Sequence, residues 1–133
     1  MHEAVNASPL WAPLLVRAIE ESDGRWTWEQ CCKDILTGAL EVWTVESGDR
    51  LLAVYTTRLL KSRERFVLVE DMAGDDMREW LPAVAAALED YAKDAGATQI
   101  VAEGRRGWEK VLREYGYRPA RFQVVKKLKE RMQ

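Results

Sequence analysis

The chain has 133 residues, 47% hydrophobic and 32% charged, with a net charge of −2, a composition that fits one globular domain over residues 1–133. No apolar run approaches the roughly 18 residues of a membrane span, and Met1 to Ser8 lack the basic and apolar regions of a signal peptide. Two adjacent cysteines, Cys31 and Cys32, and one histidine, His2, argue against a disulfide scaffold, a zinc finger and a Ser-His-Asp hydrolase, and point to reducing cytoplasm.

Charge is unevenly spread. Residues 1–103 carry 10 basic and 19 acidic side chains, net −9, while residues 104–133 carry 10 basic and 3 acidic, net +7. Such a basic end either faces an anion or nucleic acid, or lies over the acidic body of the same domain. The second reading is favoured, because the basic residues fall within a strand pattern and not in a free tail.

In chain order, Ser8 and Pro9 open a first helix, with Trp11, Leu14, Leu15, Ala18 and Ile19 at helical spacing and Asp23-Gly24 as its stop. Thr27 and Gln30 form the spacing of a capping box, and Gly38 suits the end of that second helix. The period then changes to two. Leu40 to Val45 and Arg50 to Leu60 alternate as strands around the turn Ser47-Gly48-Asp49, and Arg65 to Met72 reads as a third strand after the charged turn Lys61 to Glu64. Asp75 or Asp76 caps a long helix to about Ala95, with a stripe of Trp80, Val84, Ala87, Leu88 and Tyr91, and Gly96 as its stop. Thr98 to Glu103 reads as a short buried strand, parallel to the third because a helix joins them. A loop Gly104-Arg105-Arg106-Gly107 leads to a short helix, Trp108 to Tyr115, then Gly116 and a last strand from Tyr117 to Leu128.

This order, helix, helix, three-strand meander, long helix, strand, short helix, strand, resembles the GNAT family of N-acetyltransferases over roughly residues 3–128. The local match is Gly107-Trp108-Glu109-Lys110-Val111-Leu112-Arg113-Glu114-Tyr115-Gly116-Tyr117, similar to the family's short helix, Gly-aromatic pair and final strand. The segment Gly104 to Glu109 more narrowly resembles small GNAT-like proteins of phages and prophages. The resemblance implies an α/β (α+β) fold with a mixed, mostly antiparallel central sheet flanked by helices, in the order (β)ααβββαβαβ. His2 to Val5 is the only segment placed to supply the first strand.

The resemblance also implies where acetyl-CoA chemistry would sit. The family's pyrophosphate loop corresponds to Met72-Ala73-Gly74-Asp75-Asp76. Only Gly74 is a glycine there, out of register, and Asp75 and Asp76 put negative charge where phosphates would lie, capping the helix and occupying its N–H donors. The family's usual general-acid tyrosine falls at Leu112, with Tyr115 near it but turned elsewhere. Glu70 and Asp71, at the end of the third strand, are the general-base candidates, against which stands a reading as solvated strand-end residues.

Arg105 and Arg106 are the candidates for binding an anion or a partner, or they pair with Glu103 and Glu109. Arg105, Arg106, Lys110 and Arg113 fall within ten residues, and three of the four can share one side of the short helix and its entry loop. Trp80 and Trp108 read as core. Trp26 and Trp28 read as core or staple residues, or as aromatics beside an acceptor groove, and Cys31 and Cys32 as inert. The expected function is that of a GNAT-fold, acetyltransferase-like protein with a degenerate acetyl-CoA site and either a non-catalytic binding role or a phage-related structural or accessory one. The alternative is an active acetyl-CoA-dependent N-acyltransferase with an atypical loop. Expected cofactors are none, or acetyl-CoA held weakly. Expected partners are phage or prophage proteins or a second copy of the chain, with no membrane and no nucleic acid. The expected place is bacterial cytoplasm or a virion.

Overall fold

The structure, a computed structural model, describes residues 11–20, 27–103 and 107–120, with residue 126. Helix α1 runs Ala12–Glu20 and buries Leu15 and Ile19 one turn apart. The start at Ser8-Pro9, the stop at Asp23-Gly24, the strand at His2 to Val5 and Trp26 lie outside the described residues. Helix α2, Trp28–Thr37, opens on the expected capping box. The Gln30 N–H donates to Thr27 Oγ1 at 3.1 Å and the Thr27 N–H to Gln30 Oε1 at 3.0 Å, a cap worth about 1 kcal/mol. Gly38 ends it at φ 85°, a left-handed conformation that strains other residues.

Four strands follow in spatial order β1-β2-β3-β4: β1 Glu41–Ser47, β2 Arg50–Lys61, β3 Arg65–Gly74 and β4 Gln99–Ala102. The first three form an antiparallel meander, and β4 lies parallel to β3 with Phe66 opposite Gln99 and Val69 opposite Ala102. Strand β3 then runs on from Glu70 to Gly74 without β4 beside it. Strand β4 is not the buried strand expected: Gln99 and Val101 are exposed, and only Ile100 and Ala102 turn toward the core.

Two irregularities shift the alternation. Leu52 is an extra residue opposite the Val45–Glu46 step, so Leu52 and Ala53 both turn toward one face while Leu51 and Val54 turn toward the other. On β3, Glu70 and Asp71 together oppose the single residue Thr56, between the pairs Thr57–Val69 and Tyr55–Met72. This two-against-one register is a β-bulge. It is why Val67 and Val69 share a face with Met72, and not with Ala73.

Helix α3, Met77–Asp94, crosses from β3 to β4 and buries Trp80, Leu81, Val84, Ala85, Leu88 and Ala92. The stripe is wider than the periodicity predicts; Ala87 is exposed and Tyr91 half-buried. Gly96 at φ +73° stops it. The Ala97 N–H donates to Ala92 O at 2.8 Å and the Gly96 N–H to Lys93 O at 3.1 Å, which satisfies two otherwise orphaned carbonyls. The short helix α4 spans Gly107–Arg113, and Gly116 at φ +89° follows it. Tyr117 to Ala120 pair with none of the described strands; the rest of the expected last strand, apart from residue 126, lies outside the described residues.

The sheet is covered on both faces. On one, α3 and α4 pack Trp80, Leu81, Val84, Leu88 and Leu112 against Tyr55, Val67, Val69 and Met72. There Trp43 lies 5.1 Å edge-on from Tyr91 of α3, and its Nε1–H donates to Thr57 Oγ1 at 2.8 Å. On the other, α1 and α2 pack Leu15, Ile19, Cys31 and Ile35 against Val42 and Val54, with Trp11 and Leu40 beside them. Trp28 joins this second cluster, as a core or staple reading requires.

Candidate functional site

The bulge on β3 decides where the two base candidates go. A regular strand would send Glu70 and Asp71 to opposite faces. The bulge leaves Val69 and Met72 on the α3 face, and Glu70 and Asp71 face Thr56 and Arg58 of β2. Glu70 is bonded to Arg58 Nε. Arg58 Nη2 also meets Asp34 Oδ2 of α2 at 2.8 Å. Only 3% of the Glu70 side chain and 12% of the Arg58 side chain are exposed. The Asp71 N–H donates to Thr56 Oγ1 at 3.3 Å.

These positions correct the solvated strand-end reading. Both carboxylates lie inside a strand that continues to Gly74, and Asp71 is 4% exposed. Burial pushes the Asp71 carboxyl up to about 6, helped by the Glu70 charge and opposed by Thr56 and Arg58. Burial also raises Glu70, against the hydrogen bond and charge of Arg58. Desolvation disfavours a carboxylate, and the guanidinium only partly offsets it. Cys31, above the same cluster, is pushed up to about 12 by burial and by Asp71. It is held as a thiol and is a poor nucleophile, as its sequence context suggested.

Sequence reasoning missed Asp34, Thr56 and Arg58. The signal was present in β2. Val54, Thr56 and Arg58 share one phase of the strand, so a cation stood at a covered position and required a partner.

The segment expected as a phosphate loop is mostly strand. Met72, Ala73 and Gly74 belong to β3 and pair with Tyr55, Val54 and Ala53. Gly74 serves the sheet. A Cβ built there would lie 2.4 Å from Leu52 O and 2.8 Å from Ala53 Cβ, so only glycine lets β2 and β3 approach. Neither aspartate caps α3 as expected. Asp76 precedes the helix in a left-handed conformation, φ 53°, and its side chain makes no cap hydrogen bond. Asp75 points its carboxylate to solvent, and its carbonyl accepts from Trp80 Nε1 at 2.8 Å. The first amides of α3 are therefore not occupied by these side chains, but two carboxylates still stand at the helix entrance.

A cleft of ≈ 280 Å3 opens at this point, lined by Arg17, Met72, Gly74, Asp75, Trp80 and Trp108 among others. Arg17 reaches Asp75 only at 4.0 Å, with both side chains largely exposed, a pair of little energetic weight. In the segment where the resemblance implies acetyl-CoA, Gly74 is committed to sheet packing and two carboxylates stand at the α3 entrance, while Leu112, at the expected general-acid position, is buried in the core. Tyr115 also packs against that core.

Arg105 and Arg106 lie outside the described residues. Of the cations grouped with them, Arg113 is taken up by Glu109 at 2.9 Å, while Lys110 lines a groove with Arg78 of α3. Among the described residues, no group of three or more His, Cys, Asp and Glu side chains is placed to hold a metal ion. No helix among them is long and apolar enough to cross a membrane.

No family model matches the chain, and no curated protein matches it in sequence. Solved structures do match in shape. A probable acetyltransferase superposes with a TM-score of 0.72 at 15% identity, covering 98% of this chain and 95% of that one. A ribosomal-protein-alanine N-acetyltransferase from Brucella melitensis biovar Abortus 2308 gives 0.70 at 15% identity, with 96% and 94% covered. A predicted acetyltransferase from Clostridium acetobutylicum, solved with acetyl-CoA, gives 0.68 at 12% identity, with 96% and 92% covered. The helix-flanked, mostly antiparallel sheet with its one parallel pair therefore has the GNAT fold, which it shares with these solved acetyltransferase structures.

Proposed function

We propose that the chain is a GNAT-fold binding module that does not transfer acetyl groups. One observation carries the reading: Glu70 and Asp71 are buried, and Glu70 is tied to Arg58. A general base must reach the proton it removes, and both carboxylates are almost wholly withdrawn from solvent. The acidic entrance of α3 and the core placement of Leu112 support the same reading. The narrower resemblance of Gly104 to Glu109 to phage and prophage proteins supports a role in a phage particle or its assembly. Fold likeness at 12–15% identity carries no chemistry of its own.

The alternative, an active acetyl-CoA-dependent N-acyltransferase, is favoured by one feature. The first amides of α3 are not capped by Asp76, and a cleft opens there. Helix N-termini of that kind hold phosphates. Calorimetry with acetyl-CoA separates the two readings. The binding-module reading expects no micromolar affinity, and the enzyme reading requires it.

A further inference from the structure

A second groove lies between the first turns of α3 and helix α4. Its volume is ≈ 310 Å3, and it is lined by Arg78, Leu81, Lys110, Val111, Glu114 and Tyr115. Leu81 belongs to the core, and Val111 and Tyr115 pack against it, so the apolar floor is held in place from beneath. Arg78 and Lys110 are both exposed, and neither has an ion-pair partner among the described residues. Arg113, on the same short helix, is by contrast engaged by Glu109. Arg78 also stands in the first turn of an 18-residue helix, where the macrodipole disfavours a cation. Two cations from different elements, neither paired among the described residues, thus line one groove.

We propose that this groove docks a short acidic polypeptide segment of a partner protein. Carboxylates of the segment meet Arg78 and Lys110, and one apolar side chain packs on Leu81, Val111 and Tyr115. Donor and acceptor chemistry selects this occupant: Arg78 and Lys110 take carboxylates, and Glu114 in the same groove accepts a hydrogen bond from a peptide N–H, a donor that a phosphate lacks. A volume of ≈ 310 Å3 holds a segment of a few residues. The inference rests on the binding-module reading and gives that module's partner a chemistry.

The test titrates acidic pentapeptides with a central Leu, Phe or Met into the full chain, followed by dye anisotropy and by the resonances of Val111 and Tyr115. Binding tighter than about 1 mM is expected, weakening with salt and by about tenfold in the Arg78→Glu, Lys110→Glu variant. If that variant does not fold, Lys110→Gln at its exposed position carries the test, with a smaller loss expected. No binding at about 1 mM, unchanged binding in the variants, or resonance shifts confined to other residues overturns the proposal. Preferential binding of free CoA or of a thymidine oligonucleotide at Val111 and Tyr115 also overturns it and assigns the groove to phosphates. Acetyl-CoA bound in the α3 cleft with peptide binding intact rejects the non-catalytic reading and leaves this one standing.

Discussion

Arg58 and Glu70 form a buried ion pair across β2 and β3, at diagonal positions beside the β3 bulge. The pair joins the sheet to α2, since the same guanidinium holds Asp34 at 2.8 Å. Removing one partner of such a pair leaves an uncompensated buried charge, which costs more than the intact pair contributes. Arg58→Met should destabilise the chain by about 3 kcal/mol, read by urea denaturation. Adding Glu70→Gln to that variant should recover part of the loss. A double variant no more stable than the single would show that the pair is not the cause.

Asp71 gives the stability a pH dependence of definite sign. Its folded pKa is raised to about 6 from the ordinary 3.8 of an aspartate. The folded chain therefore binds more protons than the unfolded one between these values, and stability from this group falls as pH rises. Its contribution is complete below about pH 4 and lost through about pH 6, on the order of 3 kcal/mol. Glu70 is raised as well and acts in the same direction. Asp71→Asn should flatten this part of the profile and gain relative to the parent as pH rises. Parallel profiles from pH 4 to pH 7 would contradict it.

Gly74 tests whether the segment is sheet or phosphate loop. A Cβ there meets Leu52 O at 2.4 Å. Gly74→Ala should lower stability by about 1–3 kcal/mol through forced separation of β2 and β3. A phosphate-loop glycine would instead affect ligand affinity with little change in melting temperature. Thermal melts of the variant decide between them.

Asp76 occupies a left-handed conformation without a compensating cap bond. Asp76→Gly should therefore stabilise the chain by about 1 kcal/mol. The Asp75→Gly, Asp76→Gly double variant should also improve any affinity for CoA, if charge at the helix entrance is what excludes it. Equal affinity in parent and double variant would remove repulsion as the reason.

Features written in neighbouring residues were legible in the sequence. The Thr27–Gln30 box, the Gly38 and Gly96 stops and the turn at Gly48 each depend on a few adjacent positions, and all stand where expected. The parallel placement of β4 beside β3 followed from the helix that joins them. The bulge was not legible, because alternation assumes one residue against one, and the partner strand lies about 15 positions away. Without the bulge, Glu70 and Asp71 read as a strand end, and Met72 to Gly74 as a loop. The Asp34–Arg58–Glu70 cluster was hidden for the same reason: its members are 12 or more residues apart in sequence. Arg58 alone advertised it, as a charge in the covered phase of β2. Arg105 and Arg106, the sequence's clearest anion candidates, fall outside the described residues, and the cation groove emerged instead from Lys110 and an unsuspected Arg78.

The central claim is that the fold is kept while acetyl-CoA chemistry is not. A thermal melt with and without acetyl-CoA tests it most directly. At about 1 mM ligand, a site with a Kd of about 10 μM would add about 2.7 kcal/mol of stability, a shift of several degrees for a chain of this size. The account predicts an unchanged melting temperature and no calorimetric binding heat. A rise of several degrees that saturates with acetyl-CoA would contradict it.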